Sequence, residues 1–249
     1  MPGIPIKSLL HRLLLPGLLL LPYPAYSLAT QECVIVLHGL GRTAFSMGLI
    51  EDALVSEGYL VRNEDYPSTS DTIEILSETA ITDGLGFCDQ NRTGTVHFVT
   101  HSLGGILVRQ YLQHHTISNL GRVVMLSPPN HGSEVPDLLK DYTIYQFILG
   151  PAAQQLGTDK DSLTKQLEPV KGEIGIITGV SSSDPWFSPV IPGDDDGKVS
   201  VESAKLDEMS DFMTVPSGHT FIMRDEIVIK QILHFLREGS FYRAGQQTP

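Results

Sequence analysis

Between residues 32 and 239, short apolar runs alternate with segments of helical hydrophobic period, and this alternation constrains the chain more than any other feature. The runs are ECVIVLHG from Glu32, TVHFVT from Thr95, GRVVMLSPP from Gly121, EIGIITGV from Glu173 and FMTVP from Phe212, with the more polar YLVRNEDYP from Tyr59 reading as a further strand stopped by Pro67. Apolar residues in succession, without an alternating polar face, suit strands buried on both sides. The intervening segment FSMGLIEDALVSEGY places Phe45, Leu49, Ala53 and Leu54 at helical spacing and stops near Gly58. DTIEILSETAITDGLG predicts a helix capped by Asp71 and ending near Gly84 or Gly86, and LGGILVRQYLQHH and TFIMRDEIVIKQILHFLREG predict two more. Strand and helix in alternation give an α/β fold with a mostly parallel sheet and helices on both faces.

The rhythm breaks once. Residues 131–170 are helical in pattern and unusually apolar, with Val135, Leu138, Leu139, Tyr142, Tyr145, Phe147, Ile148, Leu149 and Leu156 exceeding what one buried helix face needs. They are expected to form a helical cap or lid insertion over the strand ends. The length, 249 residues, suits one domain, read as residues 30–249. Residues 1–29 differ: they contain no acid, carry Lys7 and Arg12, run apolar from Leu13 to Leu21, and reach small-residue sites at Ala25–Ser27 and Ser27–Ala29. That is the pattern of a secretory signal, and the apolar core is too short to span a bilayer. An exported protein, periplasmic or secreted, is expected. Beyond it the chain carries 15 basic against 29 acidic residues, which argues against nucleic acid as a partner and against anionic substrates.

In open parallel sheets, ligands bind outside the carboxyl ends of the strands, and the polar motifs fall there. His38-Gly39-Leu40-Gly41-Arg42-Thr43 follows the first strand, Thr100-His101-Ser102-Leu103-Gly104-Gly105 the third, Asp194-Asp195-Asp196-Gly197 the fifth and Ser217-Gly218-His219-Thr220 the last. Ser102 alone reads as a helix N-cap, and His219 alone as one of nine histidines. Their joint order, Ser then Asp then His, resembles the α/β-hydrolase superfamily, and within it the compact bacterial lipases and esterases. The likeness runs from Glu32 to Gly239. Thr100 departs from it, standing where glycine is commonest.

The resemblance implies a serine hydrolase cleaving carboxylic esters with apolar acyl or alcohol groups through an acyl-enzyme. Ser102 would be the nucleophile, His219 its base and Asp196, in the family-like DDGKVSVESAK, the acid that orients the base; Asp194 and Asp195 stay as alternatives. Leu40 and Leu103 would supply the oxyanion-hole N–H groups, with His38 supporting that loop. An acyltransferase with the same triad, or a binding or chaperone module on the same fold, remains open. No cofactor and no metal are expected, because the histidines and the Asp run lack ligand spacing. A small-molecule or lipid ester is the expected partner, with transient contact at a lipid interface and no obligate protein partner. Cys33 and Cys88 read by themselves as either a buried reduced pair or a disulfide. The strand order of the resembled family puts both at the amino edge of the sheet, and in an exported protein this implies a Cys33–Cys88 disulfide.

Overall fold

The computed structural model describes residues 31–139, 143–182 and 187–244. The segment read as an export signal and Tyr142 of the expected cap lie outside the described residues, as do the side chains of Tyr145 and Phe147.

Six strands form one parallel sheet in the order β2-β1-β3-β4-β5-β6. They are β1 (Cys33–Leu37), β2 (Leu60–Glu64), β3 (Val96–His101), β4 (Leu120–Leu126), β5 (Glu173–Gly179) and β6 (Asp211–Val215). Every residue of β1 is fully buried, because β1 is flanked by β2 and β3 and covered on both faces. Cys33, Ile35 and Leu37 point into one layer and Val34 and Val36 into the other, as the two-residue period of a strand requires. The first layer is closed by α2 (Ile73–Gln90) and α3 (Leu103–His114), and the second by α1 (Gly48–Ser56) and α8 (Glu226–Glu238). Each buried Ile or Leu contributes about 1.5–3 kcal/mol by leaving water, so Ile35→Ala in this position costs roughly 2–5 kcal/mol.

Helix α8 shows how the sequence fixes its own limits. Asp225 accepts the Ile227 N–H at 2.8 Å to cap the start. Val228, Ile232, Phe235 and Leu236 form its buried stripe, and Gly239 ends it in the left-handed region.

Helix α2 corrects the sequence-based expectation at both ends. Its N-cap is Thr72, without a side-chain cap bond, and the helix continues through Gly84 and Gly86 to Gln90. Gly84 is not a stop signal. A Cβ there would come within 2.9 Å of the Ile35 side chain, so glycine lets the helix lie close on β1. Cys88 consequently sits in the last turn of α2 rather than in a loop, and it bonds Cys33 at the start of β1 with a Cα–Cα distance of 5.9 Å.

Residues 131–170 fold as α4 (Glu134–Leu139), α5 (Thr143–Gln154) and α6 (Leu163–Gln166), and the one-turn α7 (Val201–Ala204) follows between β5 and β6. Helix α5 bends at Gly150, which Pro151 follows. Buried Arg109 of α3 ties both ends of this excursion to the core, donating to the Asn130 and Leu167 carbonyls at 2.9 and 3.1 Å. Among the described residues no helix is long and apolar enough to cross a membrane.

Candidate active site

Ser102 stands between the end of β3 and the first turn of α3, with φ 51° and ψ −116°. A non-glycine residue in that region is strained by order 1–3 kcal/mol, and the side chain of Ser102 makes no cap bond to its own helix. The cap reading of Ser102 is therefore not what the structure contains. The sharp turn is possible because Gly104 has no Cβ: one would lie 2.7 Å from the Leu37 carbonyl oxygen. Thr100 is accommodated, fully buried, with its hydroxyl directed to the Val124 carbonyl at 3.4 Å.

The turn aims the Ser102 hydroxyl at His219, whose Nε2 lies 3.1 Å from Oγ. Nδ1 of the same ring is 2.9 Å from Asp196 Oδ2. The other carboxylate oxygen of Asp196 accepts the N–H groups of Lys198 and Val199 at 3.0 and 2.9 Å, and the Asp196 carbonyl accepts the His219 N–H at 2.9 Å. Asp196 is buried, as are Ser102 and His219. Burial alone would raise the Asp196 carboxyl, but His219, the Ser127 hydroxyl and the Val199 N–H together hold it below its ordinary range. It stays ionised and can fix the proton on Nδ1, leaving Nε2 as an acceptor for the serine proton. Asp194 is exposed, and Asp195 is turned to the Ser188 hydroxyl and the Gly197 N–H. Of the three, only Asp196 meets His219.

The loop after β1 lies against this group. A Cβ on Gly39 would be 2.7 Å from His101 Nδ1 and 3.3 Å from Ser102 Cβ; glycine permits the approach. Ser68 Oγ takes the Gly41 N–H at 3.0 Å, and the Gly39 carbonyl takes that of Arg42 at 3.2 Å. Among the described residues no hydrogen bond takes the N–H of Leu40 or Leu103, which leaves both available to an incoming oxygen. His38 is buried, stacks on Tyr66 at 4.2 Å, and its carbonyl accepts the Tyr66 hydroxyl at 2.5 Å. Burial lowers the His38 pKa, consistent with a supporting role.

Sequence reasoning assigned no role to His101. Its Nε2–H donates to the His219 carbonyl at 3.0 Å, so it braces the backbone of the base from beneath. Full burial, and then the neighbouring His219, push its pKa down to about 3, and the ring is neutral. Its position one residue before Ser102 was the available signal, but nothing in the sequence says where that side chain points.

Ser102 and His219 open into a cavity of about 350 Å³. Val135, Leu139, Leu149 and Leu156 from the 131–170 excursion line it with Leu40 and Phe187. Leu138 and Ile148 of the same excursion are exposed instead. Among the described residues no group of His, Cys, Asp and Glu is arranged to hold a metal ion.

No protein-family model matches the sequence, and no curated protein matches it. Solved structures do. The mature lipase BlEst2 of Bacillus licheniformis superposes with a TM-score of 0.64 at 18% identity, covering 86% of this chain and 95% of that one. The phospholipase PlaB of Legionella pneumophila gives 0.65 at 17% identity, over 85% of this chain and 60% of that one. The metagenomic carboxyl esterase MGS0156 gives 0.60 at 16% identity, over 82% and 69%. With its parallel sheet, the serine turn after β3 and these likenesses, the chain has the α/β-hydrolase fold.

Proposed function

We propose that this protein is a serine-dependent carboxylic ester hydrolase of the esterase or lipase kind. The observation that carries the reading is the continuous Ser102–His219–Asp196 hydrogen-bonded chain, with contacts of 3.1 and 2.9 Å, at the mouth of an apolar cavity. The lipases and esterases among proteins of like fold support it by analogy.

Each step has its group. Ser102 Oγ attacks the ester carbonyl carbon as His219 Nε2 takes the hydroxyl proton, and the carbonyl electron pair moves onto its oxygen. The free N–H groups of Leu40 and Leu103 receive that oxyanion; one such donor is worth about 3–4 kcal/mol in transition-state stabilisation. Collapse re-forms the carbonyl and breaks the bond to the alcohol oxygen, which leaves with the proton held by His219. Water then repeats the sequence on the acyl-enzyme, releasing the acid and restoring Ser102. Asp196 keeps the imidazole in one tautomer and stabilises the imidazolium throughout. The 131–170 excursion acts as a cap on a single domain, excluding water and holding the apolar part of the ester. The disulfide, together with the signal-like first 29 residues, supports export to an oxidising compartment.

The test is turnover of a p-nitrophenyl ester series from acetate to dodecanoate by the folded full chain. Release of acid and p-nitrophenol in equal amounts is expected. A folded protein that turns over no member of the series overturns the proposal.

A further inference from the structure

The cavity beside Ser102 presents a guanidinium, that of Arg42, which the proposed catalytic steps do not use. The chain has 29 acidic and 17 basic residues, yet no Asp or Glu is among the described residues lining this cavity, whereas Arg42 and Lys198 both are. Arg42 lies two residues beyond Leu40, on the loop that faces the serine turn. Its guanidinium reaches the Thr220 carbonyl at 3.5 Å, the outer limit of a hydrogen bond, and among the described residues it pairs with no carboxylate. Asp65 shares the adjoining groove with Arg42 but directs its Oδ1 to the Ala44 N–H. Lys198, on the loop that carries Asp196, stands over the Phe187 ring at 5.1 Å, which leaves Arg42 as the side chain on which the pattern turns.

From this we infer that Arg42 is a specificity-determining residue and that the preferred esters carry an anionic group, a phosphate or a carboxylate, near the ester bond. The inference rests on the ester-hydrolase reading above and narrows its substrate class. A guanidinium offers a planar fork of donors that fits either oxyanion in two-point fashion. An apolar wall around it strengthens the pairing relative to open water. The net negative charge does not oppose this at binding range, since exposed charges are screened beyond about 8 Å at physiological salt. The expectation of uncharged esters drew on the apolar residues of 131–170 and, against anionic ones, on the total charge; the guanidinium in the cavity lining reverses the charge argument locally.

The experiment compares kcat/KM within two matched pairs, using the full chain. One pair is p-nitrophenyl pentanoate and mono-p-nitrophenyl glutarate; the other is monooleoylglycerol and oleoyl lysophosphatidylglycerol. The wild type is expected to favour the anionic member of at least one pair by about tenfold, as one charge-assisted contact allows. Which pair responds tells a carboxylate from a lipid phosphate. Arg42→Gln should bring that ratio to about one, Arg42→Lys should recover part of it, and added salt should erode it in the wild type. A wild-type ratio of one or less in both pairs overturns the inference while leaving the hydrolase reading intact. So does an Arg42→Gln variant that slows both members equally, because Arg42 would then only shape the loop. Folded wild type that turns over neither pair removes the hydrolase reading, and the inference with it.

Discussion

The two ends of the sheet are built to different rules. At the carboxyl end, Ser102 holds a strained backbone, Ser102, Asp196 and His219 are all buried, and His38 Nε2 and His101 Nδ1 have no partner among the described residues. At the amino end, the Cys33–Cys88 bond joins β1 to α2, Arg122 pairs with Glu173 at 2.6 Å, and the Arg122 N–H donates to His97 Nδ1 at 2.9 Å. His97 Nε2 faces the Glu32 carboxylate at 3.5 Å. Unpaired buried nitrogens occur at both ends, His97 Nε2 among them; what distinguishes the carboxyl end is a buried, hydrogen-bonded Ser102–His219–Asp196 chain held beside a strained Ser102 backbone. The contrast teaches that one end of the sheet is arranged for reaction and the other for closure. Damage to each should therefore be read by a different instrument.

The largest effects belong to the carboxyl end. Ser102→Ala and His219→Ala should each lower kcat on a p-nitrophenyl ester by roughly 10⁴–10⁶-fold, because the pair acts as a unit. The thermal midpoint should change little in Ser102→Ala, since Ala keeps the Cβ and with it the same backbone strain, and loss of the hydroxyl leaves no buried charge. Next comes the acid. Asp196→Asn should cost about 10³–10⁴-fold in kcat by releasing the tautomer, whereas Asp194→Asn and Asp195→Asn should stay within about tenfold. If Asp195→Asn proves the most damaging, the acid in solution is not the one whose carboxylate meets His219 here.

At the amino end the readout is stability. Cys33→Ala/Cys88→Ala should lose about 4 kcal/mol in chemical denaturation, from a closed loop spanning 55 residues, with kcat changed less than twofold in the folded variant. A large loss of turnover without unfolding would show that the two ends are coupled.

The smallest effect crosses the comparison, since a carboxyl-end residue is tested by stability. Burial holds the folded His101 pKa at about 3, against the ordinary 6.5 of an exposed imidazole in the unfolded chain. As pH falls below about 6.5 the unfolded state gains this proton and the folded state does not, so stability is lost progressively toward pH 3. At pH 5 this amounts to about 2 kcal/mol. His101→Gln, which keeps an N–H near the Nε2 position, should flatten the stability profile between pH 4 and 6 by one proton. An unchanged slope would mean that His101 is not buried as neutral imidazole.

The strand–helix order was legible because buried parallel strands need successive apolar residues and their helices need a stripe. The site was legible because its members fall at strand ends in a recognisable order. What escaped the sequence depends on distance rather than pattern. Gly84 reads as a helix stop, and only the closeness of Ile35 shows it to be a packing glycine. Asp71 reads as a cap, yet its carboxylate takes the Ser70 hydroxyl instead. Cys88 lies beyond the helix end that Gly84 or Gly86 signals, yet the helix runs through it to Gln90. Leu138 and Ile148 belong to the same apolar segment as Leu139 and Leu149, but successive positions on a helix point about 100° apart, so the first pair is exposed and the second lines the cavity beside Ser102. The bracing contact from His101 to the His219 carbonyl spans 118 residues, and no local signal encodes it.

The central claim is that His219 and Asp196 activate one serine among many. A fluorophosphonate probe tests it directly: the activated Oγ attacks phosphorus, the Oγ–P bond forms and fluoride leaves. Peptide mass spectrometry of the labelled full chain should find one adduct per molecule, on Ser102, forming at least about a hundredfold more slowly in His219→Ala. An adduct on another serine, or labelling of Ser102 at the same rate in His219→Ala, would contradict the account.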